Sequence, residues 1–378
     1  MKIGHYAHRI NARGGIASYV RRLGKAQTAR GREIVYLSRT QDADASSPIR
    51  TVQSDAPFSD ARDLNLDLLH LHHPVSPIPE DRVPTIRTVH NNHGSCPSGS
   101  RYLKRTGLPC NRDYSIAGCL WGHFVDHCGS RRPQKTVANF RTINREQKQA
   151  ATLSTLTVSG FLKRRMVRSG CPSDNLHVLR SPAPKVDDSF TPLDGQQPPR
   201  FVFAGRITPM KGLDWLLRAL AQTRSDAHLD VAGTGNEEYM SEMHKLAAEL
   251  NLRDRVTFHG WLDQADVYAL IRRARALVFP SVWHEPAGLV TLEAAARGRA
   301  VVASDVGGIP EYARDEYATL VNVRDVDALA QAMEHLATNE DEANRRGRRA
   351  RKQARTTFSM DGFLERLNQF YERTCRSS

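Results

Sequence analysis

Short apolar runs, each closed by glycine or a polar loop and followed by a polar stretch with helical spacing, recur along the whole chain. This alternation predicts strand–helix–strand units around parallel sheets, an α/β fold. The expected strands are 1–6, 33–37, 66–71, 85–90 and 156–159 in the first half, then 201–205, 229–233, 256–258, 276–280 and 300–304 in the second. Residues 185–199, between the halves, are polar and proline-rich with little that would pack, and read as a linker. The predicted organisation is a first domain over 1–184 with a cysteine-rich insert at 91–135, the linker 185–199, a second domain over 200–358, and a last helix in 359–378. That helix fits two places, capping the second domain or crossing back to the first.

A length of 378 residues suits two domains, each large enough for its own core. No run of about 18 uncharged apolar residues offers a membrane span, and residues 1–6 lack the features of a signal peptide, so the expected location is the cytoplasm. The net charge of +13 is lopsided: residues 1–184 hold 28 Lys and Arg against 13 Asp and Glu, whereas residues 185–378 hold 26 against 28. Such asymmetry implies an acidic partner for the first half, whether an anionic membrane surface, a diphosphate-linked acceptor or a nucleic acid. Two basic segments, 19–25 and 161–168, mix cations with apolar residues at helical spacing. They favour peripheral contact with an anionic membrane. The competing reading is a solvated basic face over a buried apolar one.

In an open α/β domain, ligands sit beyond the carboxyl ends of strands, where helix N-termini present free amides to anions. After the strand at 201–205 come Gly205-Arg206-Ile207-Thr208-Pro209-Met210-Lys211-Gly212. Glycines that allow close approach and two cations suit a diphosphate; the plainer reading is a solvated turn. After the strand at 276–280 comes Trp283-His284-Glu285-Pro286-Ala287-Gly288-Leu289, with Glu285 in a loop and Glu293 in a helix that Pro286 can start and Gly298 can end. Carboxylates suit sugar and ribose hydroxyls, because each oxygen accepts an O–H without changing protonation. The amides of Ala287, Gly288 and Leu289 would face a phosphate. Taken alone, the same run is an amphipathic helix with an exposed Glu293.

Together with Gly14-Gly15-Ile16, Thr88-Val89-His90, Val158-Ser159, Gly233-Thr234-Gly235 and Asp305-Val306-Gly307-Gly308-Ile309-Pro310-Glu311, these segments resemble glycosyltransferase family 4. Its members share the GT-B fold and a Glu-x7-Glu motif, here Glu285 and Glu293. The resemblance spans nearly the whole chain. It implies two Rossmann-like domains with parallel sheets facing across a cleft, a nucleotide diphosphate sugar as donor, and retention of anomeric configuration. Arg206 and Lys211 would then hold the diphosphate and Glu293 the ribose, while Glu285 would hold the transferred sugar, assisted by the backbone of Ala287, Gly288 and Leu289. Gly15 would let the first domain approach the phosphates, and His90 would lie near the sugar. The resemblance implies no obligatory metal, and Asp42-x-Asp44 lies in a polar stretch without the other donor elements. Cations would do the metal's work, so catalysis requires no cofactor. Glu285 as a covalent nucleophile is the alternative to same-face attack assisted by the leaving phosphate. Pro286-Ala287 stands where many relatives carry an aromatic before the glycine, which bears on the identity of the sugar.

The acceptor expected from these features is a glycan or lipid-linked intermediate of polysaccharide synthesis, with a soluble small molecule as the simpler case. Two other functions compete. A GT-B epimerase would use the same donor site without an acceptor. A nucleic-acid-binding protein would exploit the charge, but the first half lacks a recognition helix or a basic strip interleaved with aromatics. Four of the six cysteines, Cys96, Cys110, Cys119 and Cys128, fall in the insert among His93, His123 and His127. Their spacing contains no Cys-x2-Cys pair. A structural zinc or another thiolate-bound metal, free buried thiols, and disulfides or an iron–sulfur cluster remain open readings, disulfides being disfavoured in the cytoplasm.

Overall fold

The computed structural model describes residues 1–10, 14–40, 48–195 and 197–376, so Asp42 and Asp44 lie outside the described residues. The first half contains β1 (Lys2–Ala7), β2 (Glu33–Ser38), β3 (Arg50–Gln53), β4 (Leu68–Leu71), β5 (Thr85–Val89), a hairpin of β6 (Tyr102–Leu103) and β7 (Leu108–Pro109), β8 (Ser154–Thr157) and β9 (Leu176–Val178). All but the hairpin form one sheet, paired in parallel in the order β3-β2-β1-β4-β5-β8-β9. The second half contains β10 (Arg200–Ala204), β11 (His228–Ala232), β12 (Val256–Gly260), β13 (Ala276–Phe279), β14 (Ala300–Ser304) and β15 (Ala318–Val321), also parallel, in the order β12-β11-β10-β13-β14-β15. Both sheets are doubly wound. Each leaves a crevice where the strand order reverses, at β1/β4 and at β10/β13.

Central parallel strands are covered on both faces, which is why Ala-Leu-Val-Phe in β13 and Ala-Val-Val-Ala in β14 are buried throughout. The helices of the first half are α1 (Gly15–Thr28), α2 (Pro57–Asp63), α3 (Ile116–Phe124), which lies in the insert, α4 (Pro133–Thr152) and α5 (Gly160–Arg168). The second half adds α6 (Leu213–Gln222), α7 (Glu237–Glu249), α8 (Gln264–Arg273), α9 (Leu289–Ala296), α10 (Val326–Thr338), α11 (Glu340–Arg355) and α12 (Met360–Arg376). Trp215 of α6 is fully buried with Phe201 and Phe203 in the second core.

Helix α12 crosses back. Its Phe363, Leu364, Leu367 and Tyr371 lie on one face and are buried with Ile3, Tyr19 and Ile86 in the core of the first domain. The described residues of 185–199 form no helix or strand, yet they are not loose. Leu193 is buried, its amide donates to Asn344 Oδ1 at 2.8 Å, and Asp187 pairs with Arg272 and Arg297. The expectation that little in this stretch would pack fails because its polar groups find charged partners on the second domain. The two chain crossings between domains lie side by side nearer residue 183, where the Ala183 amide donates to the Phe358 carbonyl at 2.8 Å.

Candidate active site

The crevice at β10/β13 gathers the expected donor residues. Arg206 stands exposed just beyond β10. Lys211 ends a short 3-10 turn, Pro209–Lys211, and is followed by Gly212 at φ 70. A Cβ on Gly212 would come within 2.0 Å of the Pro280 carbonyl oxygen, so only glycine lets this turn press against the end of β13. That approach delivers the Lys211 ammonium to Glu285, with which it forms a buried ion pair. Glu285 Oε1 also accepts from Ser281 Oγ at 2.7 Å and Trp283 Nε1 at 2.6 Å. The Lys211 Nζ lies 5.1 Å and 5.6 Å from the ring centres of Phe279 and Trp283. Three donors on one oxygen fix the carboxylate and leave Oε2 for a ligand hydroxyl.

The loop carrying Glu285 is gripped from both domains. Gly308 N donates to the Glu285 carbonyl at 2.7 Å from within the second domain. From the first, Asn92 Nδ2 donates to the His284 carbonyl at 2.8 Å and Ser159 Oγ to the Pro286 carbonyl at 2.6 Å. Pro286 therefore does not start the following helix, contrary to what its position implies. Its carbonyl is used across the cleft, and α9 begins at Leu289, with Ala287 and Gly288 preceding it and Gly298 just past its end at φ 69. The free amides at the start of α9 still face outward along its axis. Glu311 reinforces the seam, accepting from the first amides of α5, Gly160 at 2.9 Å and Phe161 at 2.7 Å.

Glu293 is partly buried on α9. Burial pushes its carboxyl up to about 7, opposed by the nearby Arg22 and Arg297 guanidiniums. Arg22 belongs to α1, so the first domain faces Glu293 directly. At the start of α1, a Cβ on Gly14 or Gly15 would meet nothing within 4 Å, which leaves open space at this end of the helix.

His90 follows β5 and closes a chain of rings in the other crevice, β1/β4. Gln27 Oε1 accepts from His5 Nε2 at 2.7 Å; His5 Nδ1 and His72 Nε2 are 3.0 Å apart, and His72 Nδ1 and His90 Nε2 3.2 Å. Gln27 Nε2 donates to Tyr371 Oη at 3.2 Å, and His70 bonds Tyr371 Oη and Thr88 Oγ1 at 2.8 and 2.7 Å. With the Gln27 amide oriented so, each histidine passes its proton assignment to the next, and His90 is left with Nδ1 as an acceptor. Burial lowers His5 to about 4 and His90 to about 3, and holds His70 and His72 well below the ordinary histidine range. His5, His70 and His72 bring three ligand atoms within 4.8 Å of one another. Every ring nitrogen of the three is already hydrogen-bonded, so the group reads as a neutral network and not a metal centre.

Ser281, Trp283, Asn92 and the His5–His72 chain escape a reading of the sequence alone. Trp283 and Ser281 flank the recognised carboxylate, and the alternation His70-Leu71-His72 at a strand end is the available signal for the chain. The cysteines Cys96, Cys110, Cys119 and Cys128 line a separate cavity within the insert.

A family described as Glycosyl transferases group 1 matches residues 187–353. An uncharacterized glycosyltransferase of Bacillus subtilis (strain 168) is 30% identical over 296 residues, covering 77% of this chain and 79% of the relative. The D-inositol 3-phosphate glycosyltransferase of Streptomyces coelicolor is 36% identical over 166 residues, 41% of this chain and 36% of that protein. Among solved structures, a sucrose-phosphate synthase from Thermosynechococcus elongatus superposes with a TM-score of 0.72 at 20% identity, both chains being covered in full. Anabaena HepE, solved in complex with UDP-glucose, gives 0.70 at 17% identity, again over 100% of both chains. Paired Rossmann-like domains with a cleft between them are the GT-B fold, which these solved structures share. The chain belongs to the glycosyltransferases, its residues 187–353 matching the group 1 family.

Proposed function

We propose that this enzyme transfers a sugar from a nucleoside diphosphate sugar with retention of configuration, in the manner of glycosyltransferase family 4, and that its acceptor is a lipid-linked glycan at an anionic membrane surface on the cytoplasmic side. The convergence of Arg206, Lys211 and Glu285 at one switch point, with Glu293 on the adjoining helix, carries the donor assignment. A diphosphate beside Arg206 offers Lys211 a second anion, while Ser281 and Trp283 keep Glu285 in place with Oε2 toward a sugar hydroxyl. The two cations neutralise the departing nucleotide, so no metal cofactor is needed for that charge. Glu293 takes the ribose hydroxyls, the amides of Ala287, Gly288 and Leu289 assist, and Gly15 admits the phosphates from the first domain. Neutral His90, with Nδ1 accepting, suits a hydroxyl of the transferred sugar. A thermal-shift panel of nucleoside diphosphates and their sugars tests the donor, and NMR of the product anomer tests retention. No stabilisation by any of them would remove the donor site; an inverted product would remove only the retention.

The membrane surface rests on a different region from the one the sequence pointed to. Val20, Leu23 and Leu162 are buried, and Arg165 is buried and paired with Asp113, so α1 and α5 turn their apolar sides inward. Exposed apolar residues collect instead on α3: Ile116 is 64% exposed, Trp121 60% and Phe124 50%, with Leu120 beside them. Ile116, Leu120 and Phe124 share a helix face by their spacing of four. In the surrounding segment 101–145, eight exposed Lys and Arg stand against Asp113 and Asp126, Arg101 being buried. An apolar face ringed by cations fits the interface of an anionic leaflet. Among the described residues, no helix is long and apolar enough to cross a membrane. Flotation with phosphatidylglycerol vesicles should show binding that fades with salt and weakens in Trp121→Ser/Phe124→Ser. Absence of binding at low salt, with full activity on a soluble acceptor, would defeat it.

A further inference from the structure

The insert that carries α3 is built the wrong way round for a segment held by apolar burial. The large apolar side chains of α3 point outward, while Ser95, Arg101, His123 and Asp126 are buried and Tyr102 packs against the second domain. A short segment without an apolar core needs another tie. On the inner side of α3, Cys119 and His123 face a cavity of about 20 Å³, which Cys96, Cys110 and Cys128 line from three further places in the chain. We infer that this cavity is a structural metal site, in which Cys96, Cys110, Cys119 and Cys128 hold one zinc-type divalent ion as thiolates and thereby fasten α3 with its apolar face outward.

The small cavity suits a single ion. Four sulfur ligands select a soft or borderline ion with tetrahedral preference, and zinc is the common case. Four thiolates around a dication leave two negative charges, and two guanidiniums are at hand. Arg101, almost wholly buried, lies near Cys96 and Cys110, and Arg112 near Cys110 and Cys128. His123 Nδ1 donates to the Cys119 carbonyl at 2.7 Å and lies 3.9 Å from Cys128 Sγ, which sets the ring against the thiol cluster.

Binding a dication through sulfur requires each ligating thiol to give up its proton to solvent, so uptake depends on pH. Among the described residues only His5, His70 and His72 bring three ligand atoms within 4.8 Å. The sulfurs thus line the cavity more widely than coordination requires, and binding draws their loops inward, so metal uptake and ordering of the insert are a single event.

The test uses the full chain, produced with zinc and desalted without chelator. Elemental analysis should find about one zinc per chain, and a mercurial should release it stoichiometrically to a chromogenic chelator. Cobalt in its place should give the thiolate charge-transfer band of a tetrahedral sulfur site. Cys119→Ser and Cys128→Ser should lose the metal, while Cys171→Ser, buried elsewhere, should keep it. The mercurial release is read on the native sequence, so misfolded variants do not blunt the test. Less than about a tenth of an equivalent of bound zinc would overturn the site. Zinc retained in Cys119→Ser but lost in His70→Gln would also overturn it, placing the ion among the histidines. Neither result touches the donor assignment.

Discussion

The two sheets are wound in the same order, yet the crevices at their switch points are filled in opposite ways. At β10/β13 the crevice holds charge: Lys211 against Glu285, with Arg206 exposed beside them. At β1/β4 it holds uncharged rings, His5, His70 and His72, closed off by Gln27 and Tyr371. Topology supplies a crevice in both domains, and the side chains decide what it can bind. A site for diphosphate needs cations that water cannot screen away. A site for sugar hydroxyls needs donors and acceptors whose direction is fixed, which a chain of neutral imidazoles provides.

The contrast can be broken most severely on the charged side. Lys211→Ala should lower turnover by about 10²–10³-fold at saturating donor, the effect expected of a preorganised cation in the role proposed for it at the leaving group. Near-normal turnover would mean that the charged crevice is structural only. Acid should then reveal the neutral side. His5 and His90 have folded pKa values below the ordinary 6.5, so the stability they contribute is present above about pH 6.5 and is lost as pH falls toward 4. Hydrogen exchange should show the first sheet losing more protection at about pH 5 than the second domain, where burial lowers His284 to about 3 but no chain of histidines accompanies it. The differential should reach a few kcal/mol, since a tenfold change in proton affinity between folded and unfolded chains is worth about 1.36 kcal/mol. Equal losses in both sheets would remove the distinction.

Glu293 sharpens the comparison in the reverse sense. Its folded pKa is raised to about 7, so in the free enzyme the stability linked to its protonation is present below about 4.5 and disappears as pH rises through 7. Ribose hydroxyls favour the carboxylate, so donor affinity should increase up to about tenfold as pH rises through 7, and Glu293→Gln should flatten that profile in a titration by calorimetry. The smallest effect is expected from Tyr371→Phe, which removes the hydroxyl shared by Gln27 and His70 and should cost about 1 kcal/mol in denaturant unfolding.

Most of the framework is legible in the sequence because central parallel strands advertise themselves as unbroken apolar runs. β13 and β14 are such strands, and the expected 276–280 and 300–304 fall on them. Strands β3, β9 and β15 leave no such mark. β3 and β9 are short edge strands, Arg-Thr-Val-Gln and Leu-His-Val, and β15 is only half buried, so none has the two covered faces that produce the signal. In the site, Lys211 and Glu285 are visible as chemistry, but their pairing depends on Gly212 reaching Pro280 from a distant strand. The same holds for Asp187, whose polar surroundings resemble a loose linker until Arg272 and Arg297 are brought to it by α8 and the end of α9. The face of α3 is hidden for the opposite reason: apolar residues at helical spacing imply an inward face, as in α1, and here they point out.

Helix α12 sets the order in which the molecule can be completed. β1 and α1 are made before the second domain, but their apolar face is covered by Phe363, Leu364 and Leu367 only after the second domain has been made. The first domain is therefore sealed after the second has been synthesised. Until then the face of β1 and α1 that meets Phe363 and Leu367, and the His70 nitrogen that meets Tyr371, have no cover from this helix.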